Sequence, residues 1–256
     1  MLVTLEYRGA IAIATLNRPE ALNALSLELL SDLRDVLGQI RQSAARGLLI
    51  TGSGGKAFCA GADIKEMMER SASASRKAIA EAQAIISSVG TLPIPSVAMI
   101  NGFAFGGGLE IALACTFRIA MKQARMGLPE IKLGLIPGYG GTQRLPRLVG
   151  ESRALDLILS GRTVDADEAY RMGLVDRLSE SSDPIEAGVE FLAQFTGFSL
   201  AASALAREAV ARGAERGLDD ALKIEGDLLT LALQSSDAKE GMLAFIEKRK
   251  ASFKDE

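Results

Sequence analysis

Histidine is absent from this sequence, and so is tryptophan. Without histidine there is no Ser-His-Asp or Cys-His nucleophile system in its usual form, and no His-ligated zinc. The two cysteines, Cys59 and Cys115, are too few for a disulfide framework or a structural zinc site. Both sit among small apolar residues and read as buried thiols rather than nucleophiles. No metal is expected. Acid–base chemistry must therefore fall to Asp, Glu, Lys, Tyr or Cys. Aromatic residues are scarce, at 5%, which disfavours a base-stacking platform for single-stranded nucleic acid. The formal net charge of −3 supplies no basic field, so no nucleic-acid partner is expected. No uncharged apolar run reaches about 18 residues, so no membrane span is expected. The opening MLVTLEYRGAIAIATLNRPE has no basic start followed by an apolar core. It predicts no signal peptide, and a cytoplasmic location follows.

What is present reads as an α/β body. Length alone, 256 residues, fits one large domain or a domain with a helical appendage. Val3, Leu5 and Tyr7 alternate with polar residues as in a strand, and AIAIATL (10–16) supplies a second after a turn at Gly9. Leu29, Leu30, Leu33, Val36, Leu37 and Ile40 recur at helical spacing behind Ser26 as N-cap. GLLITGSGG, IPSVAMING and FRIAM read as further strands, and strands alternating with helices imply α/β architecture. ESRALDLILSG is a helix stopped by Gly161, and DADEAYRMG opens on Asp165 with Glu168 three residues on. SESSDP (179–184) is a linker candidate, and DAKEGMLAFIEKRKASF is a helix with Asp237 and Glu240 in the same capping pattern. The division predicted is a core over 1–190 and a helical region over 191–256.

Three glycines, Gly106, Gly107 and Gly108, precede Glu110 in the apolar stretch FAFGGGLEIALAC. The glycine loops fail as nucleotide loops. In TGSGGKAF the P-loop's first glycine is replaced by Ile50, and Ala57 follows Gly55-Lys56. GYGGTQ and FGGGLE lack the dinucleotide spacing. A second reading fits better: FCAGAD (58–63) and FGGG (105–108) both end strands in small-residue turns, where bare backbone N–H groups can point at one ligand oxygen. With Gly107 in the first turn of a helix, its N–H also has the helix dipole behind it. Two such donors stabilise a developing oxyanion. Taken alone, each loop reads better as a tight turn with close strand–helix packing. Two glutamates add weight. Glu110 lies one turn past Gly107, and Glu130 follows Pro129 in MGLPEIKLGLIPG. A glutamate among apolar residues is costly unless paired or used, and two of them suggest an acid/base pair with tuned pKa values. Two independently satisfied glutamates remain the plain alternative.

On these residues the chain resembles the crotonase (enoyl-CoA hydratase/isomerase) superfamily, closest to the hydratases. The matching stretches are LNRPEALNALS (16–26), GGKAFCAGADIKEM (54–67), PIPSVAMINGFAFGGGLEIALACTFRIA (93–120) and ARMGLPEIKLGLIPGYGGTQRLPRLVG (124–150). GRTVDADEAYRMGLVDRL and DAKEGMLAFIEKRKASF match later parts of the pattern. The resemblance implies a crotonase-like spiral of ββα units followed by a C-terminal helical trimerisation region, assembled as a homotrimer or a hexamer that is a dimer of trimers. It implies an acyl-CoA thioester substrate, with coenzyme A as part of that substrate and no tightly bound cofactor. Ala62 and Gly107 would supply the oxyanion-hole N–H groups, Glu110 would hold and help deprotonate the water, and Glu130 would give the proton to the α-carbon. Ala24, Lys56, Ala60, Gly61, Asp63, Ile64, Gly106, Pro129 and Tyr139 would line the thioester and coenzyme A site.

The implied reaction is hydration of an α,β-unsaturated acyl-CoA. A related isomerase, a branched methylglutaconyl-type hydratase and an inactive acyl-CoA-binding protein are the alternatives. Two positions depart from the family pattern. Tyr139 stands where hydratases commonly have a small residue, and either narrows or polarises the acyl pocket or simply packs there. Thr116 and Phe117 replace the common Asp after Cys115, a position read as structural.

Overall fold

The computed structural model describes residues 1–255. In chain order the strands are β1 (Val3–Arg8), β2 (Ile11–Leu16), β3 (Gly47–Gly52), β4 (Ala57–Cys59) and β5 (Ser96–Ile100). They continue with β6 (Phe103–Phe105), β7 (Phe117–Met121), β8 (Arg125–Gly127), β9 (Val164–Asp165) and β10 (Arg177–Ser179). The helices of the first part are α1 (Leu27–Arg41), α2 (Ile64–Met68), α3 (Ala72–Gly90), α4 (Gly107–Ala114), α5 (Gly141–Val149), α6 (Glu151–Ser160) and α7 (Ala166–Arg171). After these come α8 (Pro184–Thr196), α9 (Leu200–Gly213), α10 (Leu218–Gln234) and α11 (Ser236–Glu247).

The strands sort into two sheets, ordered β1-β2-β3-β5-β7-β10 and β4-β6-β8-β9. Each of the pairs β3–β4, β5–β6 and β7–β8 places its first strand in the larger sheet and its second in the smaller. This is the mixed α/β spiral that the resemblance implies. Apart from the β1–β2 and β8–β9 pairs, neighbouring strands run parallel. Parallel strands covered on both faces read as unbroken apolar runs, and every residue of Gly47–Gly52 and Ser96–Ile100 is buried.

Register sets the core. Ile13 pairs with Leu49, Leu49 with Val97, and Val97 with Phe117, so one row of apolar side chains crosses four strands on one face. Leu192 of α8 is fully buried on that row, with Ile185 and Val189 beside it. Phe117 meets Phe191 edge to face at 5.2 Å. The chain divides into two compact units after Leu192, within α8. The SESSDP linker candidate is therefore no boundary: the apolar face of α8 that follows it belongs to the core of the first unit.

Thr116 supports the structural reading of its position. Its N–H donates to Ser96 Oγ at 3.0 Å, and its Oγ1 accepts from the Ser96 N–H at 3.1 Å. Ser26 and Asp165 cap α1 and α7 as their sequence context predicts. Asp237 does not cap. Ser235 caps α11, and buried Asp237 instead accepts from the N–H groups of Lys254 and Asp255, at 2.7 and 2.9 Å. A capping pattern marks a carboxylate near a helix start, but tertiary folding decides which N–H groups reach it. Within the second unit α9 and α10 pack on each other.

α4 is buried on every side, as expected of a helix that is apolar all round. Gly108 lets it approach the smaller sheet, because a Cβ there would run into the Cys59 carbonyl. Gly108→Ala is expected to destabilise the protein by about 3 kcal/mol or to prevent folding, as read by urea unfolding. An unchanged midpoint would contradict this packing.

Candidate active site

The loop ALNAL and the loop AGAD lie side by side. Leu25 and Ala62 form a single parallel bridge, with the Leu25 N–H donating to Gly61 O at 2.8 Å and the Asp63 N–H to Leu25 O at 3.0 Å. The Ala60 N–H donates to Leu22 O at 3.0 Å. These bonds bring Ala24, Ala60, Gly61, Ala62 and Asp63 together. A trans peptide carries its N–H opposite its C=O. With Gly61 C=O held by Leu25, the Ala62 N–H faces away from Leu25, and no group of the described residues accepts it.

Gly106 sits next to Gly61: a Cβ on Gly61 would fall 3.9 Å from Gly106 Cα. Gly106 has φ +49°, and a Cβ there would lie 2.8 Å from Glu130 Oε1, so glycine answers both the backbone and the carboxyl. Its C=O accepts the Glu110 N–H at 3.0 Å, which starts α4 and turns the Gly107 N–H out of the helix end. That N–H also has no acceptor among the described residues. The Tyr139 ring and Leu25 pack on Gly107. The tyrosine phenol lies beside the Arg70 guanidinium. Tyr139 therefore forms wall at the start of α4.

The two glutamates converge, Glu110 from α4 and Glu130 from a short 3-10 helix, Pro129–Leu133. Pro129 is well suited to that helix's first position, where no N–H is needed. Glu110 is 1% exposed. Its Oε1 accepts the N–H groups of Tyr139 and Gly141, both at 2.7 Å. Its Oε2 has no partner among the described residues. Burial pushes the Glu110 carboxyl up to about 7, against the two N–H bonds; Glu130 adds to the rise and Arg144 opposes it. Burial also raises Glu130 above the ordinary carboxyl range. Its Oε2 is a buried oxygen with no hydrogen-bond partner among the described residues. Desolvation favours the protonated form of this carboxyl, and a hydrogen bond from its own backbone N–H opposes the rise.

Of the remaining expected residues, Asp63 is an anchor. It caps α2 through the N–H groups of Lys65 and Glu66 and pairs with Arg18 at 2.8 Å, and that guanidinium holds its carboxyl below the usual range. Lys56 and Ile64 are exposed at the surface of these loops; their side chains are not brought to the glutamates. The thiols of Cys59 and Cys115 are buried and pushed up to about 12, which suits packing and not nucleophilic attack.

Sequence reasoning missed Arg18, Asn23 and Arg144. Arg18 Nη1 reaches both Asp63 and Ala24 O. Asn23, buried at φ +58°, donates to Ser53 O and Ala57 O and accepts the Arg18 N–H. An Asn beside a Pro-containing turn is a signal for left-handed backbone, but its distant partners are not written locally.

This geometry sets two carboxyls with raised pKa beside two backbone N–H groups that no described residue accepts. Comparison with known proteins shows the family. The family model described as Enoyl-CoA hydratase/isomerase matches residues 6–256, and the chain belongs to that family. It is 41% identical to the short-chain-enoyl-CoA hydratase of Clostridium acetobutylicum, over 97% of this chain and 95% of that protein. It is 40% identical to the crotonyl-CoA hydratase of Syntrophomonas wolfei, over 98% and 97%. The crystal structure of enoyl-CoA hydratase from Bacillus anthracis superposes with a TM-score of 0.96 at 39% identity, covering 100% of both chains.

Glu110 binds its proton more tightly in the folded chain than in the unfolded one. Raising the pH from the ordinary carboxyl range through neutrality strips a proton that the folded state favours. Stability is therefore lost across that window, by up to about 3 kcal/mol. Glu110→Gln keeps an acceptor for the two N–H groups and removes the ionisation. Relative to wild type, the variant is expected to gain stability between about pH 5 and about pH 8 in urea unfolding. A pH-independent difference would rule out the buried ionisation.

Proposed function

We propose that the protein is an enoyl-CoA hydratase, a hydro-lyase that adds water across the α,β double bond of an unsaturated acyl-CoA. The observation that carries this reading is the pair of desolvated carboxyls, Glu110 and Glu130, beside the acceptor-free N–H groups of Ala62 and Gly107. The relatives named as short-chain-enoyl-CoA and crotonyl-CoA hydratases support it and favour short acyl groups.

In this mechanism the thioester oxygen sits between the two N–H groups. Glu110, ionised, takes a proton from water through Oε2 as the oxygen bonds to the β-carbon. The π electrons of the double bond move toward the thioester, and charge collects on its oxygen as an enolate. Each N–H is worth roughly 3 kcal/mol where that charge develops. Glu130, protonated, gives its proton to the α-carbon. Water has then been added as H and OH, and one proton returns from Glu110 to Glu130 to reset the pair. Ala24, Ala60, Gly61, Gly106 and Pro129 line the thioester path, with Asp63 holding the loop and Lys56 and Ile64 at its outer edge toward coenzyme A.

A homotrimer or dimer of trimers fits the apolar side chains that the second unit leaves exposed, including Leu222, Leu229, Leu233, Phe245 and Ile246. An isomerase reading is favoured by one feature: Glu130 alone, with its unpartnered oxygen, suffices to move a proton between the α- and γ-carbons.

Loss of the conjugated thioester absorbance of crotonyl-CoA tests the choice. Wild type is expected to consume it, and Glu110→Gln and Glu130→Gln each to lower kcat by about 10²–10⁴-fold. Full turnover in both variants would overturn the mechanism. Turnover of a β,γ-unsaturated thioester with none of crotonyl-CoA would replace hydratase with isomerase.

A further inference from the structure

Glu110 owes its position to a turn, Gly138–Gly141, that lies outside the helix carrying it. Two N–H groups of that turn hold Oε1. Each belongs to a peptide whose carbonyl is fixed on the opposite side. The peptide that gives the Tyr139 N–H has the Gly138 C=O, which accepts from Gln83 Nε2 of α3 at 2.8 Å. The peptide that gives the Gly141 N–H has the Gly140 C=O, which accepts the N–H groups of Gln143 and Arg144 at 3.1 and 2.8 Å. Between them, the Tyr139 C=O accepts from Arg144 Nη1 at 3.0 Å, while Arg144 Nη2 donates to Ser87 Oγ of α3 at 2.8 Å. The guanidinium thus bridges the turn to α3. Because a trans peptide is planar with its two polar groups opposed, fixing each carbonyl aims each N–H.

We propose that Arg144, assisted by Gln83, is a positioning residue for Glu110: it locks the Gly138–Gly141 turn so that two peptide N–H groups hold one carboxylate oxygen and leave the other facing substrate water. The inference rests on the hydratase reading only for what the carboxylate does, not for how it is held. The groups facing Glu110 are Glu130 from the 3-10 helix, Tyr139 from the turn and Arg144 from α5, with the neutral Cys59 thiol behind Gly108. Arg144 is the cation among them. Its removal loosens the turn and withdraws positive charge, and both changes favour the protonated carboxyl.

The test compares wild type with Arg144→Met, Arg144→Lys and Gln83→Leu. Crotonyl-CoA hydration is followed from about pH 5 to about pH 9, and the Glu110 carboxyl is titrated without substrate by carbon-13 NMR of glutamate-labelled protein, with Glu110→Gln assigning the signal. Arg144→Met is expected to lower kcat by about 10–100-fold with KM within about threefold. It should move the Glu110 titration and the acidic limb of kcat together upward by about one pH unit. Arg144→Lys should restore the acidic limb but not kcat, since an ammonium keeps the charge and cannot bridge both oxygens. Gln83→Leu should lower kcat by about threefold. An Arg144→Met protein with kcat within about twofold and an unmoved Glu110 titration overturns the proposal. Where Arg144→Met does not fold, unchanged kcat in both Arg144→Lys and Gln83→Leu overturns it. A wild type that hydrates no enoyl-CoA overturns the hydratase reading alone, because the Glu110 titration is read independently of turnover.

Discussion

The site depends on the geometry of the planar trans peptide. At four N–H groups of the site, the carbonyl of the same peptide is held from the other side. Gly61 C=O is taken by Leu25, Gly106 C=O by Glu110, Gly138 C=O by Gln83 and Gly140 C=O by the start of α5. The N–H groups of Ala62, Gly107, Tyr139 and Gly141 are aimed as a result. A backbone donor fixed in this way has little rotational freedom left to lose when a ligand arrives, which is why preorganised N–H groups are effective at developing charge.

The same arrangement carries a cost in stability. Glu110 is removed from water inside a helix that is otherwise apolar, and two N–H bonds offset only part of that burial. Glu130 keeps a buried oxygen with no hydrogen-bond partner among the described residues. Both carboxyls therefore hold protons above their ordinary range. Burial is the main cause of both shifts, and the charge of Glu130 adds to the rise at Glu110.

Much of the fold was legible. Strands such as Phe117–Met121 and helices such as α1, with Ser26 as cap, are where apolar spacing and capping residues place them, because those signals are local. The convergence of the glycine turns and of Glu110 with Glu130 was suggested by residue type: bare backbone and buried carboxyls are both conspicuous against an apolar background. Arg18, Asn23, Gln83 and Arg144 were not legible. Each acts through atoms far along the chain, as when Arg18 meets Asp63 and Arg144 meets Ser87. A polar side chain carries no mark of a distant partner. The capping pattern at Asp237 misled for the same reason, since its acceptor oxygens are claimed by Lys254 and Asp255.

By itself, then, the sequence determined which chemistry was available: no histidine, two candidate carboxyls, and glycines where a side chain would block a backbone donor. It also determined the alternation of strands and helices, since hydrophobic period is a property of neighbours in the chain. Only the tertiary structure decided that Gly61 and Gly106 abut, that Glu110 and Glu130 come within electrostatic reach, and which oxygen of Glu110 has no partner among the described residues. Those facts depend on carbonyls being claimed across long separations, and only the packing of the two sheets around α4 brings the claimants within reach.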